Sequence, residues 1–458
     1  MKLNKAWEYR EKILFADNAG EFINAAQKAL DEINDASVAA SVGLDLVSFL
    51  KEWKLRAFIK AGTLTEEKID ETADAFFDLT RKLGGEEAYQ EAVKERTAIQ
   101  ESEMKRLCEM TRDGKINTVW GHDYASGLTH SLRRGARWVT NNPCKNTLFK
   151  KDYPEIYEGI LQEIHEQFPN ADADEKVSQV FLKICALSAA ELRPIFEATG
   201  GDYGFVCIQT NPHHIDGPEN TQLIADQVEY WWEAFKKELG VEVPNVVFKI
   251  PAVKAGLEAA KILIPKGYRL CATLDFTVTQ HELFAREFAK GTQQCFVVLM
   301  GGLLDDKVGA ELKELGVGDA VEVGRHAAQA VIRRSYANLK EKGLDRNVSI
   351  MTAAVRGPWA ILNSVAPADG VPILITTLTN KINEFDEQPR DIVCRIDEPV
   401  DPEIMSVLKR SSVFCQALGT PEEGTLDWDR ALYSFPPFMT FYDQFREAYD
   451  EILADVQK

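Results

Sequence analysis

Lys249 sits in the run Val246-Val-Phe-Lys-Ile-Pro-Ala252, and all its neighbours there are apolar. A β-branched and aromatic run of this kind reads as a strand packed on both faces. Lysine is almost never fully buried unless it is paired or used chemically. Burial strips an ammonium of its hydration and so favours the free amine, which is a nucleophile. Lys249 is therefore a candidate for imine (Schiff-base) formation with a carbonyl substrate. The competing reading is a lysine near a strand end whose head snorkels to water.

Other residues of the right type fall at comparable places. Eight short apolar segments occur near Thr118–His122, Trp138–Asn141, Tyr203–Gln209, Val246–Pro251, Tyr268–Phe276, Gln294–Met300, Val348–Val355 and Pro372–Leu378. Most intervals between them carry a helical pattern, as in Leu257–Ile264, Gln280–Ala289 and Arg325–Lys342. Strands alternating with helices imply a parallel sheet with right-handed crossovers. Eight such units predict a closed α/β (β/α)₈ barrel (a TIM barrel), with an open doubly wound sheet as the rival. Barrel enzymes draw their reacting groups from the C-terminal strand ends. Those ends carry Asp123, Asn142, Gln209, Lys249, Thr273 and Arg356. An amine, a carboxylate, two amides, a hydroxyl and a guanidinium suit carbon–carbon bond chemistry through an imine.

The local sequences around these ends resemble the transaldolase family of class I, Schiff-base aldolases. Thr140-Asn-Asn-Pro143 is similar to the family's Thr-Thr-Asn-Pro at strand two. Phe248-Lys-Ile-Pro-Ala252 with Gly256-Leu-Glu-Ala-Ala260 resembles its Ile-Lys-Ile-Pro-Ala strand and the helix after it. Leu270-Cys-Ala-Thr-Leu-Asp-Phe276 and Met351-Thr-Ala-Ala-Val-Arg356 resemble its fifth and seventh strands. The resemblance runs from about residue 117 to 455 and implies roles. Lys249 would form the imine with a ketose donor. Asp123 would transfer protons. Asn142 and Thr273 would order hydroxyls and a catalytic water, and Arg356 would hold a phosphate.

The departures from the family pattern bear on substrate and reaction. Gln209 stands where transaldolases carry a glutamate, and an amide orients water but does not carry a proton. Members acting as plain aldolases carry glutamine there. Cys271 replaces an asparagine, Ala354 replaces a phosphate-binding serine, and Met300-Gly-Gly-Leu303 lacks the family's second phosphate arginine. Transfer of a three-carbon dihydroxyacetone unit is the leading expectation. Simple aldol cleavage or formation of a ketose is the second. The third is a non-catalytic barrel that binds a sugar phosphate.

Composition sets the remaining bounds. The chain has 458 residues, 45% of them hydrophobic, and a formal charge of −19. That acidity disfavours a nucleic-acid or anionic-membrane surface. The first residues show no signal-type apolar core, and no run approaches the ~18 apolar residues of a membrane span. The eight cysteines are scattered without CxxC pairing, which reads as reduced thiols in a cytoplasmic chain. The expected partners are a sugar or sugar phosphate, with self-association left open and no cofactor. His122, His213 and His214 are weak metal candidates, and no metal is expected. Residues 1–115 form a predicted helical extension. Within it a helix is expected to begin at Thr63-Leu-Thr-Glu66, which fits a capping box, and another spans Glu86–Thr111. Residues 116–458 form the predicted barrel, with Phe438–Val456 as a closing helix.

Overall fold

Lys249 lies on the fourth of eight parallel strands that close on themselves. This computed structural model describes residues 5–14, 16–50, 52–215, 217–419 and 431–458. The strands are β1 (Thr118–His122), β2 (Trp138–Thr140), β3 (Phe205–Gln209) and β4 (Val246–Pro251), then β5 (Leu270–Asp275), β6 (Cys295–Leu299), β7 (Val348–Thr352) and β8 (Ile373–Thr377). β8 returns to pair with β1 over Thr118↔Ile373 to His122↔Thr377, which closes the (β/α)₈ barrel. Every strand residue is buried, as expected for a sheet wrapped by helices. Each strand is shorter than or equal to its apolar run. The residues trimmed, such as Tyr203 and Met300, form the turns at either end.

Aromatic side chains fill the barrel below the lysine. Trp138 stacks on Phe205 at 6.0 Å between centroids, and Phe205 meets Phe296 at 5.2 Å. Gly121 on β1 makes room for this layer, because a Cβ there would fall 2.3 Å from the Trp138 ring. A packed interior of this kind leaves open space only at the strand ends.

The longest insertion separates β2 from β3 and holds α8 (Pro143–Asp152), α9 (Pro154–Gln167) and α10 (Ala173–Ala198). The last helix, α21 (Pro436–Val456), lies across the C-terminal end of the barrel and packs on α8 and α10.

The first 112 residues contain α1 (Trp7–Leu14), α2 (Ala19–Glu32), α3 (Ala36–Asp45), α4 (Lys54–Lys60), α5 (Glu66–Gln100, broken at Gly85, φ +80) and α6 (Glu103–Arg112). Two local expectations are corrected. The cap of α5 is Thr65, which accepts from the Lys68 amide, and Thr63 instead donates to the Phe58 carbonyl. The expected Glu86–Thr111 helix is two helices, because Ser102 caps α6 by accepting from Lys105 N. No helix among the described residues is long and apolar enough to cross a membrane.

Buried ions fasten these helices to the barrel. Arg10 on α1 is fully buried, 2.8 Å from Asp45 of α3 and 3.5 Å from Glu191 of α10. Arg133, on α7 (Leu128–Arg133), pairs with the other Asp45 oxygen at 2.8 Å. Burial raises the carboxyl of Glu191, against the pull of Arg10.

Candidate active site

Lys249 is 3% exposed. In the sheet register it stands between Gln209 of β3 and Cys271 of β5. Its ammonium donates to the Asn141 carbonyl at 3.4 Å, and among the described residues no carboxylate pairs with it. The neighbouring thiols supply no counter-charge. Burial pushes Cys207 well above the usual thiol range and Cys185 up to about 12, so both stay protonated. The strand that looked two-face buried in sequence does hold its lysine inside the barrel.

Asp123 follows β1, where its amide donates to the Thr377 carbonyl. Its Oδ1 accepts from Thr140 Oγ1 at 2.7 Å, and its Oδ2 lies 3.1 Å from Lys145 Nζ. Burial pushes its carboxyl upward, but Lys145, the Thr140 hydroxyl and Lys249 outweigh that and hold it below the usual range. Asp123 is therefore a carboxylate at neutral pH, and it couples electrostatically to Lys249.

Asn142 caps α8, its Oδ1 accepting from Lys145 N at 3.1 Å, and Pro143 follows at the first helical position. That turn carries Lys145 back toward the barrel mouth. Sequence reasoning passed over Lys145. The signal available was its place one helical turn after Asn142, a residue type that caps helices and is followed here by Pro143.

Asp123, Asn142, Lys145, Lys249 and Arg356 line one cavity of about 270 Å³ at the C-terminal strand ends. Phe441, Gln444 and Phe445 of α21 form its roof. Gln209 and Thr273 are buried and lie outside that lining. Gln209 is the β3 neighbour of Lys249 and Thr273 stands opposite Pro251, two residues further along β4; Gln209 Oε1 and Thr273 Oγ1 are buried without a hydrogen-bond partner. Gln280, also missed in sequence, sets the height of Thr273. It donates to the Ala252 and Leu274 carbonyls and accepts from Phe276 N, clamping the ends of β4 and β5 together.

Arg356 stands four residues beyond β7 in the loop after Ala354, whose φ is +59. Its guanidinium donates to Asp306 Oδ2 at 2.7 and 3.1 Å and to the Ala354 carbonyl. Asp306 belongs to α14 (Gly301–Glu314). The helix approaches this closely because Gly302 has no side chain: a Cβ would fall 1.9 Å from the Ala354 carbonyl oxygen. The arginine thus faces the cavity already partnered by a carboxylate.

The histidines stand elsewhere. His122 points outward to the Tyr124 carbonyl and Thr379, with its pKa lowered to about 4 by burial. His213 pairs with Asp450 at 2.8 Å. Among the described residues no three metal-ligating side chains converge. Ser335, His281 and Asp275 form a chain in the interior, at 2.6 and 3.3 Å. All three are 0% exposed. Burial drives Asp275 up and His281 down to about 3, and none of the three lines the cavity at Lys249.

Residues 129–411 match the family model described as transaldolase/fructose-6-phosphate aldolase. The match begins after Asp123, so that residue's place rests on the barrel itself. A transaldolase from Thermobifida fusca is 26% identical over 223 residues, covering 46% of this chain and 57% of that protein. A transaldolase from Mycobacterium ulcerans is 27% identical over 276 residues, 56% and 70% of the two chains. Transaldolase 1 of Streptomyces avermitilis is 29% identical over 180 residues, 37% and 45%.

Proposed function

This chain belongs to the transaldolase/fructose-6-phosphate aldolase family, and on that footing we propose that it transfers a three-carbon dihydroxyacetone unit between sugars or sugar phosphates through an imine at Lys249. The observation that carries the reading is a fully interior lysine without a paired carboxylate, opening on a polar cavity at the barrel mouth. Desolvated charge is costly to keep unless it is used.

The chemistry follows from the groups present. Lys249 Nζ adds to the donor's ketone carbon, and loss of water leaves an iminium. The Asp123 carboxylate takes the proton from the hydroxyl two carbons away. The bond from that hydroxyl-bearing carbon to the carbon beside the iminium breaks, and its electron pair forms the enamine double bond as the C=N pair moves onto nitrogen. An aldehyde departs and an enamine stays on Lys249. A second aldehyde then reacts by the reverse steps, and water hydrolyses the iminium to free the lysine. Asn142 and Thr273 orient the donor's hydroxyls. Gln209 orients the water lost and regained at the imine carbon. Lys145 keeps Asp123 ionised and ready to accept the proton.

Gln209 supports one alternative, in which the released aldehyde is not replaced and the enzyme is a simple aldolase. With no second carboxylate at that position, Asp123 carries the proton traffic alone. Arg356 bears on the donor. Its pairing with Asp306 opposes a phosphate dianion, so a phosphorylated donor must displace or outcompete that carboxylate. A coupled assay separates the readings. Fructose 6-phosphate with erythrose 4-phosphate should give exchange without free triose. Free triose alone would establish the aldolase. Neither product, with a ketose still captured on Lys249, would mean a different donor and acceptor.

A further inference from the structure

The end of β5 departs from regular strand geometry beside the candidate site. Against β6, Ala272 pairs with Val297 but Asp275 pairs with Leu299, so β5 carries one residue more than its partner over this stretch. The surplus lies within 273–274 and makes a β-bulge. Leu274 there has φ +58, a left-handed conformation that a leucine rarely adopts. On the β4 side the pairing runs unbroken. Thr273 stands opposite Pro251, and its carbonyl accepts from Ala252 N at 2.6 Å.

The bulge separates side chains that regular alternation would put on one face. Cys271 stands beside Lys249 in the register, so an unbroken strand would point Cys271, Thr273 and Asp275 into the barrel together. The Asp275 carboxyl stands instead in the helix layer, 3.3 Å from Nε2 of His281 on α13 (Val278–Phe288). His281 Nδ1 lies 2.6 Å from Ser335 Oγ on α16 (Ala327–Glu341). No other group among the described residues bonds to His281 Nε2. Whether the shared proton sits on the carboxyl or on the imidazole, one contact joins β5 to α13 and the next joins α13 to α16. An apolar side chain would fill this helix-facing place without burying a polar group. Packing alone therefore gives no reason for the pair.

Backbone strain of this kind persists only where its surroundings over-determine it. Bulges at barrel rims re-aim side chains beside active sites. Met300 N holds the Asp275 carbonyl at 3.0 Å from the β6 side, and the Gln280 clamp holds the Leu274 carbonyl. The Asp275 side chain supplies the outer anchor. We infer that Asp275 and His281 are positioning residues for the imine site: their pairing in the helix layer holds the bulge that keeps Thr273 aimed at the donor on Lys249. This rests on the proposed imine chemistry, in which Thr273 orients the donor's hydroxyls. Thr273 Oγ1 is buried without a partner of its own, so its direction is set by the backbone that carries it.

A double-mutant cycle tests the inference. The wild-type chain is first reduced with borohydride in the presence of dihydroxyacetone, fructose or fructose 6-phosphate, and turnover is then followed with a ketose captured on Lys249. Asp275→Leu should lower kcat by about tenfold to a hundredfold, as for a misplaced orienting group. Asp275→Asn, whose amide donates to His281 Nε2, should keep at least about half of kcat. In the Thr273→Val background, Asp275→Leu should change kcat by less than about twofold, because the group it acts through is gone. His281→Ala opens the pair from the helix side and should repeat the pattern if Asp275→Leu does not fold. Equal fold losses in both backgrounds overturn the inference. So does an undiminished kcat in folded Asp275→Leu, an Asn variant as impaired as the Leu variant, or failure of both Asp275→Leu and His281→Ala to fold. Absence of any capture on wild-type Lys249 removes the imine reading and the inference with it, whereas capture with equal losses removes the inference alone.

Discussion

Two places in this molecule bury charge, and they do so in opposite ways. At the seam between the N-terminal helices and the barrel, Arg10, Arg133, Asp45 and Glu191 neutralise one another within 3.5 Å. At the barrel mouth Lys249 is as deeply buried, but it has only a backbone carbonyl as partner, with Asp123 held by a different lysine. A closed set of ions fixes a geometry. An open set leaves an amine and a carboxylate on the cavity for something that arrives later. On the proposed imine chemistry, the mouth is the reactive place and the seam the fastening.

Breaking the seam should cost the most. Asp45→Ala leaves buried Arg10 with only Glu191, 3.5 Å away, and part-buried Arg133 with no carboxylate, and removing one partner of a buried pair costs ~3–5 kcal/mol. Denaturant unfolding should show that loss, while the folded fraction keeps its reactivity at Lys249. A small change would mean that water enters the seam and the ions are not closed. At the mouth, Arg356→Ala should raise the Michaelis constant of phosphorylated donors by roughly 10–150-fold, the equivalent of ~1.5–3 kcal/mol for charge-assisted contacts. Non-phosphorylated donors should be spared, and equal loss on both would make Arg356 a structural partner of Asp306.

Subtler changes sharpen the same contrast. Lys145→Met removes the chief attraction that keeps Asp123 ionised. The acid limb of the kcat/KM profile should then move to higher pH. An unmoved limb would take Asp123 out of proton transfer. The sign for stability runs the same way. A carboxyl lowered in the folded state stabilises it above the unfolded value of about 3.9, and that contribution is lost as pH falls through the folded value. Lys145→Met should therefore reduce stability at neutral pH and narrow the acid range over which it changes. Asp306→Asn should give the smallest effect, a fall of a few-fold in the Michaelis constant of phosphorylated donors only.

Much of the barrel is written in local sequence, because a strand buried on both faces must be apolar along its whole length. Val246–Pro251 and Thr118–His122 were readable to the residue for that reason. Helix ends were less so, because capping is a competition among neighbours. Thr63 and Thr65 are both eligible caps, and only the chain path decides that Thr65 faces the Lys68 amide. The site was legible where chemistry and strand end coincide, as at Lys249, Asp123 and Asn142. Lys145 and Gln280 were not, since both act from the first turn of a helix onto another strand, which requires knowing how the helix enters. The Asp306 partner of Arg356 lies 50 residues away in sequence. The contact depends on Gly302, whose role only the fold reveals.

Borohydride reduction in the presence of a ketose donor tests the central claim most directly. Dihydroxyacetone, fructose and fructose 6-phosphate cover the range of donor sizes and charges. Peptide mass analysis should place the reduced adduct on Lys249. Lys249→Met should abolish it and lower turnover by ~10²-fold or more. An adduct on Lys145 or another lysine, or turnover that survives Lys249→Met, would contradict the account.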